Sequence, residues 1–384
     1  MKDAAFLSKA VIDFSKFDHN IHAFQSLLQP STKLLAVLKA NAYGHGSVPL
    51  AQWIQKNKKA DYLGVAQLLE ALELRENRVT LPILLFGPVP KDQLILALKN
   101  NITLPIFTEK QLQDLVTATQ KSGHCATIHL KIDSGMGRIG IRSVDDALKI
   151  FNKIREYSDL INLEGIFTHF SDAENVDTNG YTKQQFDLFM SCIQAIESTG
   201  FKFKLKHCCN TAATILCPDY HLDMVRVGIG LYGYYPDENM KDTLSLKPIM
   251  TVESPITHIK QVSVGSEIGY GRTYQANHEI SIATVAIGYA DGVNRNLSNQ
   301  KVFCFHGHRL MITGRVCMDQ LMLDVTPIKE QISVGDTVTF FGDHTENPAL
   351  LSLYQLAHLA HSFHYEILCL LGRRVERVYL TNDE

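Results

Sequence analysis

The residues that invite a chemical reading first are those of Val37-Leu38-Lys39-Ala40-Asn41-Ala42-Tyr43-Gly44-His45-Gly46. An apolar run from Leu34 to Leu38 ends in Lys39, and small residues and two glycines follow at once. A buried strand that delivers one amine to a cavity and then turns away has this pattern. Burying a lysine as a cation is costly, so such an amine tends to lose its proton and become a nucleophile. A neutral amine condenses with aldehydes, and pyridoxal phosphate (PLP) is the aldehyde that proteins commonly hold. Taken alone, the stretch reads equally well as a strand-end lysine whose head reaches water.

Further polar clusters punctuate apolar runs. Lys131-Ile132-Asp133-Ser134-Gly135-Met136-Gly137-Arg138 reads as a polar strand end whose glycines let backbone and arginine approach a ligand. An arginine there suits a carboxylate or a phenolic oxygen, and the plain alternative is an Asp–Arg bridge. Gly135–Gly140 also matches G-x-G-x-x-G, but Gly228–Gly233 matches it too, and neither opens the first βαβ unit, so a dinucleotide site is weakly supported. His169 follows an apolar run, as a hydrogen-bonded core histidine or as a flat group against a cofactor ring. Asn210 and Thr211 form a capping pair before a helix start, where backbone N–H groups and the Thr211 hydroxyl can hold a phosphate. Arg226, on an apolar strand and followed by Val227-Gly228-Ile229-Gly230, adds a cation beside that cup; a surface ion pair is the other reading. Tyr270 stands between two glycines, and 288–292 and 315–320 are polar turns between strands. His358, His361 and His364 recur every three residues, which drifts around a helix, so a metal site is not expected.

The elements that must position these groups alternate in type. Runs at 34–40, 62–66, 82–86, 103–107, 127–133, 161–169, 203–210 and 224–232 read as strands. Amphipathic stretches at 67–77, 91–99, 109–121, 144–157 and 182–198 read as helices between them. Such βα alternation suits an α/β chain closed into a (β/α)8 TIM-type barrel, whose site lies at the strands' carboxyl ends, where Lys39, Asp133–Arg138, His169, Asn210 and Arg226 fall. A doubly wound open sheet is the alternative. From about residue 245 the pattern changes to short strands at 251–262, 280–287, 301–305, 309–312, 320–325 and 336–341, with one helix at 352–361. The expected domains are therefore 15–244, the barrel, and 245–384, a mostly-β C-terminal domain. Residues 1–14 carry a strand that joins the second domain, and Ser15 is expected to cap the first helix.

Composition narrows the class. The 384 residues exceed the usual single-domain size, and 45% hydrophobic with 20% charged residues is ordinary for a globular chain with a real core. A net charge of -3 gives no reason to expect nucleic acid or a membrane surface as partner. The N-terminal apolar run is too short for a signal peptide, and no stretch reaches a membrane-spanning length. The eight cysteines lack paired CxxC spacing, which fits reduced thiols in a cytoplasmic protein.

Together these motifs resemble the alanine racemases, PLP-dependent enzymes of fold type III. The resemblance runs from Ala36 to Arg377 through 36–46, 131–140, 168–170, 210–213, 224–233, Tyr270-Gly271, 288–292, 314–320 and Tyr365-Glu366. It implies interconversion of L- and D-alanine by two bases, supplying D-alanine for peptidoglycan, in a homodimer with shared sites. On this resemblance Lys39 binds PLP covalently and is one base, and Tyr270, reaching in from the partner subunit, is the other. Arg226 faces the pyridine nitrogen with His169 behind it. Tyr43, Asn210, Thr211, Gly228, Ile229 and Tyr365 belong to the cofactor site, Thr211 standing where the family usually has serine. Arg138 touches the cofactor's phenolic oxygen and the substrate carboxylate, Met318 meets that carboxylate through its backbone, and Tyr289 lines the substrate entry. Lys131 matches a lysine that some members carry as a carbamate. A broader-specificity racemase or a decarboxylase on the same barrel, a non-enzymatic PLP-binding protein and a nicotinamide-dependent oxidoreductase are the competing readings. Cys317 sits where a decarboxylase would want its cysteine, yet Met318-Asp319-Gln320 follows it as in racemases.

Overall fold

The computed structural model describes residues 7–175, 180–241 and 243–381. It divides into two compact units: Met1–Asp18, Tyr43–His45 and Lys247–Glu384 in one, His19–Ala42 and Gly46–Leu246 in the other. The first strand, β1 (Lys9–Asp13), leads directly into a helix (Phe14–Gln25). Asp13, not the expected Ser15, caps that helix, its Oδ1 accepting from the Ser15 and Lys16 N–H groups at 2.7 and 3.2 Å. A carboxylate one residue before the helix reaches these N–H groups directly, whereas Ser15 already lies within the first turn.

The larger unit is the expected barrel. Its strands are β2 (Lys33–Val37), β3 (Tyr62–Val65), β4 (Ile83–Leu85), β5 (Ile102–Ile106), β6 (Ala126–Lys131), β7 (Ile161–Phe167), β8 (Leu205–His207) and β9 (Met224–Val227). They pair in parallel in the order β8-β7-β6-β5-β4-β3-β2-β9. No ladder joins β8 to β9, but the Asp223 N–H donates to Lys206 O and the Arg226 N–H to Cys209 O, both at 3.0 Å, which nearly closes the ring. Strands β3, β4, β5 and β9 are buried at every residue, because helices cover the outside of a parallel ring while side chains fill its inside. The sequence run at 34–40 stops short as a strand: β2 ends at Val37, and Lys39–Tyr43 forms a separate turn.

The other unit is built on one eight-stranded sheet, in the order β13-β16-β15-β14-β17-β10-β1-β18. It comprises β10 (Met250–Val262), β13 (Ile280–Val285), β14 (Lys301–Phe305), β15 (His308–Ile312), β16 (Leu321–Asp324), β17 (Thr337–Phe341) and β18 (Glu376–Leu380), with β1 between β10 and β18. The long β10 pairs with β17 and, past an irregularity at Ile256–His258, with β13, so the sheet curls onto itself. Phe303 and Phe340 stack at 5.1 Å in its core. A hairpin of two-residue strands, β11 (Glu267–Ile268) and β12 (Tyr274–Gln275), carries Tyr270 at its tip. This hairpin, the helix His364–Cys369 and β18 have no counterpart among the sequence expectations. Among the described residues no helix is long and apolar enough to cross a membrane.

Candidate active site

Lys39 leaves β2 on an unusual backbone. Ala40, Asn41, Ala42 and Tyr43 all have φ between 52 and 54°, a single left-handed helical turn without glycine. Each such residue costs roughly 1–2 kcal/mol, less for asparagine. The turn is held by four bonds: the Ala40 N–H to Glu70 Oε1 at 2.6 Å, and the Ala42 N–H to Leu38 O, the Gly46 N–H to Asn41 O and the Ser47 N–H to Asn41 Oδ1, each at 2.9 Å. Glu70 also accepts from the Ala66 and Gln67 N–H groups at 2.8 and 2.9 Å. Strain that is over-determined in this way fixes where the lysine backbone stands.

Arg226, on β9, is only 4% exposed. Its Nη2 donates to Thr168 O at 2.7 Å and Cys208 O at 3.0 Å and lies 3.3 Å from His169 Nδ1, while Nη1 lies 3.0 Å from His207 Nδ1. A guanidinium only donates, so both histidines present a lone pair at Nδ1 and carry their proton at Nε2. Burial lowers the Arg226 guanidinium to about 10, still a cation near neutral pH. His169 is held well below its ordinary value by burial and by the positive charges of Arg226, Lys131, Arg138 and Lys39. Four basic side chains, from the ends of β2, β6 and β9 and the loop after β6, thus bear electrostatically on one imidazole, that of His169 just past β7.

Lys131 closes β6 at 4% exposure, with Nζ donating to Ile132 O at 3.1 Å and lying 4.8 Å over the Phe167 ring. Burial first, then Arg226 and Arg138, hold its ammonium well below the ordinary lysine value, which favours the uncharged amine. Arg138 is exposed on the glycine loop that follows. Asp133 Oδ1 organises that loop by accepting from the Gly135 and Gly137 N–H groups at 3.2 and 2.9 Å, so the Asp–Arg bridge is not what the carboxylate makes. At Gly140, φ +139°, a Cβ would come within 2.3 Å of Asp133 N.

Beyond β8, Asn210 caps the short helix Thr211–Leu216, its Oδ1 accepting from the Ala213 N–H at 3.0 Å. The Thr211 hydroxyl accepts from the Gly228 N–H at 3.0 Å, tying the helix start to the backbone that follows β9, where Ile229 is buried.

Tyr43, Tyr365, Tyr270, Tyr289 and Met318 lie in the other unit. Tyr43 is buried and tilted against Tyr365, ring centroids 6.0 Å apart, and burial pushes its phenol up strongly. The adjoining loop is fastened by Arg377 Nε to Gly44 O and Tyr379 Oη to His45 O, each at 3.0 Å. Tyr270 is 70% exposed, and Tyr289 and Met318 are exposed as well. The Tyr289 and Ala290 N–H groups donate to Cys317 O and Met318 O at 3.0 and 3.1 Å, which brings Tyr289 and Met318 side by side. Arg374 braces both segments by bonds to Asp291 (2.9 and 3.1 Å) and Asp319 (2.6 Å). His364 is buried against Tyr354, centroids 4.5 Å apart, and His361 ends the preceding helical segment with φ 49°.

Several participants carry no motif. Glu70, Glu164, His129 and Arg374 were not singled out by the sequence, and His207 stood only as part of a strand end. A titratable residue inside an otherwise apolar strand, as at His129 and Glu164, is the one signal that marks them.

Comparison with known proteins agrees with this architecture. Residues 12–236 match the family model "Alanine racemase, N-terminal domain" and residues 249–379 "Alanine racemase, C-terminal domain". The chain is 41% identical to "Alanine racemase 1" of Oceanobacillus iheyensis over 96% of this chain and 97% of that protein. It is 41% identical to "Alanine racemase" of Methanococcus maripaludis over 97% of this chain and 98% of that one. Among solved structures, alanine racemase of Clostridium difficile 630 superposes with TM-score 0.91 at 38% identity, covering 100% of this chain and 98% of that one. Alanine racemase from Bacillus anthracis with bound L-Ala-P gives 0.91 at 33%, covering 99% and 97%. With both halves matched and the likeness running nearly end to end, the chain belongs to the alanine racemase family.

Proposed function

We propose that this chain is a PLP-dependent isomerase that interconverts L- and D-alanine, working as a cytoplasmic homodimer. One observation supports this above the others: the four basic side chains, Arg226, Lys131, Arg138 and Lys39, that bear on His169, among them a guanidinium that can only donate. A ligand with several anionic groups would relieve their mutual repulsion, and the donor set fits PLP. Lys39 offers the amine for its aldehyde. Thr211, Gly228 and Ile229, with Asn210 as the cap that shapes them, offer a cup for its phosphate, and Tyr43 and Tyr365 are assigned to the same phosphate. Arg226 is assigned to the ring nitrogen.

When bound, the cofactor withdraws electrons from the substrate's α-carbon, which makes the α-hydrogen removable near neutral pH. The chain supplies the rest. Lys39 Nζ takes or returns the α-proton on one face, and Tyr270 Oη of the partner subunit does so on the other. Arg226 keeps its own proton and so does not protonate the ring nitrogen, which disfavours transamination as a side reaction. Arg138 receives the substrate carboxylate together with the Met318 backbone, and Tyr289 guards the entry. Lys131, a buried amine whose charged form burial disfavours, is suited to add CO2 as a carbamate with release of one proton, which would place an anion beside Arg138.

The expected protein is yellow, is bleached by borohydride with the label on the Lys39 peptide, and inverts the optical rotation of single alanine enantiomers toward zero. A colourless protein inert to both tests overturns the reading. Arg226→Glu should raise transamination relative to racemisation. Mixed Lys39→Ala and Tyr270→Phe chains should recover part of the activity that each lacks alone; no recovery would place both bases in one chain. A carbamate at Lys131 should appear as a 13C resonance after incubation with labelled bicarbonate and be absent in Lys131→Ala.

A further inference from the structure

A file of polar side chains crosses the inside of the barrel from Arg226 toward the opposite mouth, and nothing in the racemisation chemistry above uses it. His207 Nε2 lies 2.9 Å from His129 Nδ1. His129 Nε2 lies 3.4 Å from Glu164 Oε2, which also accepts the Tyr62 hydroxyl, while Glu164 Oε1 accepts Lys204 Nζ at 2.8 Å. His129 and His207 are fully buried, and Gly165 makes the room: a Cβ there would sit 2.8 Å from His129 Cε1. The Phe167 ring stacks on His207 at 5.0 Å and meets His129 edge-on at 6.3 Å, so neither ring is loose.

The proton positions in this file follow from its two ends. Arg226 can only donate, so His207 must accept at Nδ1 and donate from Nε2. His129 must then accept at Nδ1 and donate from Nε2, and its donor needs an acceptor, which is Glu164. The sequence of bonds is one-way, from Arg226 through His207 and His129 to Glu164. Both imidazoles are held below their ordinary value, His129 by burial against the pull of Glu164, His207 by burial and Arg226, which favours the neutral rings that this one-way sequence of bonds requires. Burial would raise the Glu164 carboxyl, but bonds from His129, Lys204 and Tyr62 outweigh it and hold the group at about 2, ionised throughout the working range. Without an acceptor at that end, the His129 N–H is left buried and unpaired. The alternative is that the rings exchange tautomers, and His207 then turns an N–H toward the guanidinium.

We propose that Glu164 is a positioning residue for the reaction: as terminal acceptor it fixes the proton of His129 and His207 on Nε2 and so keeps a lone pair on His207 Nδ1 facing Arg226. The consequence is that reaction specificity at one mouth of the barrel is set partly by a carboxylate near the other. This rests on the assignment of Arg226 to the cofactor ring.

The test uses the full chain labelled with 15N-histidine, observed without and with PLP, together with the ratio of transamination to racemisation in the loaded enzyme. In the natural protein both rings should be neutral and protonated at Nε2 before any cofactor is added. Glu164→Gln retains a carbonyl acceptor and should leave tautomers and ratio within about twofold. Glu164→Leu should disturb the tautomers and raise the ratio about tenfold, the size expected for one unpaired buried donor. If Glu164→Leu fails to fold, His129→Phe removes the same link and should raise the ratio alike. Wild-type tautomers, or a wild-type ratio, in whichever of these two variants folds overturns the proposal. An unchanged ratio in Arg226→Glu instead sinks the assignment of Arg226 to the ring, while the cofactor-free spectra still judge the file itself.

Discussion

Two loops leave strands of the barrel carrying a cation, and they turn by opposite means. After β2, Lys39 is followed by four non-glycine residues in left-handed conformation, held by hydrogen bonds that Leu38, Asn41 and Glu70 accept from backbone N–H groups. After β6, the loop bearing Arg138 takes its positive φ values at Gly135, Gly137 and Gly140, where they are nearly strain-free, and is organised by Asp133. The half-buried lysine sits on a strained, over-determined turn; the exposed arginine sits on a relaxed one. The difference matches the tasks proposed for them. A group that bonds covalently and moves a proton needs one position, whereas a group that receives a small carboxylate tolerates adjustment.

That contrast can be broken at either loop. Lys39→Ala should have the largest effect, abolishing racemisation in an optical-rotation assay while leaving the circular dichroism of the fold intact. Gly140→Ala comes next: the Cβ meets Asp133 N at 2.3 Å and the backbone resists φ +139°, so urea denaturation should show a loss on the order of 3 kcal/mol. Glu70→Leu removes the acceptor shared by three backbone N–H groups, among them the cap of the following helix. It should cost about 2 kcal/mol and lower kcat more than it raises KM, because the lysine backbone loses its anchor. Ala40→Gly is the smallest and has the opposite sign. Ala40 is exposed, so glycine should relieve strain and raise stability by up to about 1 kcal/mol, with kcat falling slightly. A destabilising Ala40→Gly would mean that the left-handed turn carries no strain and that the comparison is mistaken.

Much of the architecture is legible in the amino-acid sequence. The eight barrel strands stand where the largely apolar runs placed them, because strands of a parallel ring are buried on both sides and need no strict alternation. Lys39, His169 and Asn210 fall just past the ends of β2, β7 and β8 for the same reason, since polarity resumes where a buried strand stops. The hairpin β11–β12 was not legible, as two-residue strands have no period to detect. The switch from strand to left-handed turn at Lys39 was not legible either: alanine and tyrosine do not prefer that conformation, and it is held in part by the bond that Glu70, thirty-one residues from Lys39, accepts from the Ala40 N–H.

By itself, then, the amino-acid order determined most of the barrel's elements, their parallel α/β arrangement and the chemical identity of the groups at the strand ends, because burial on both faces leaves largely apolar runs. Only the tertiary structure decided which of those groups meet and in which protonation state. His129, Glu164, His207 and Arg226 lie up to 97 residues apart along the chain, Arg226 less His129, and each is unremarkable in its own strand. Closing the ring removes water from between them, and a donor-only guanidinium at one end with a carboxylate at the other then leaves a single consistent set of hydrogen positions.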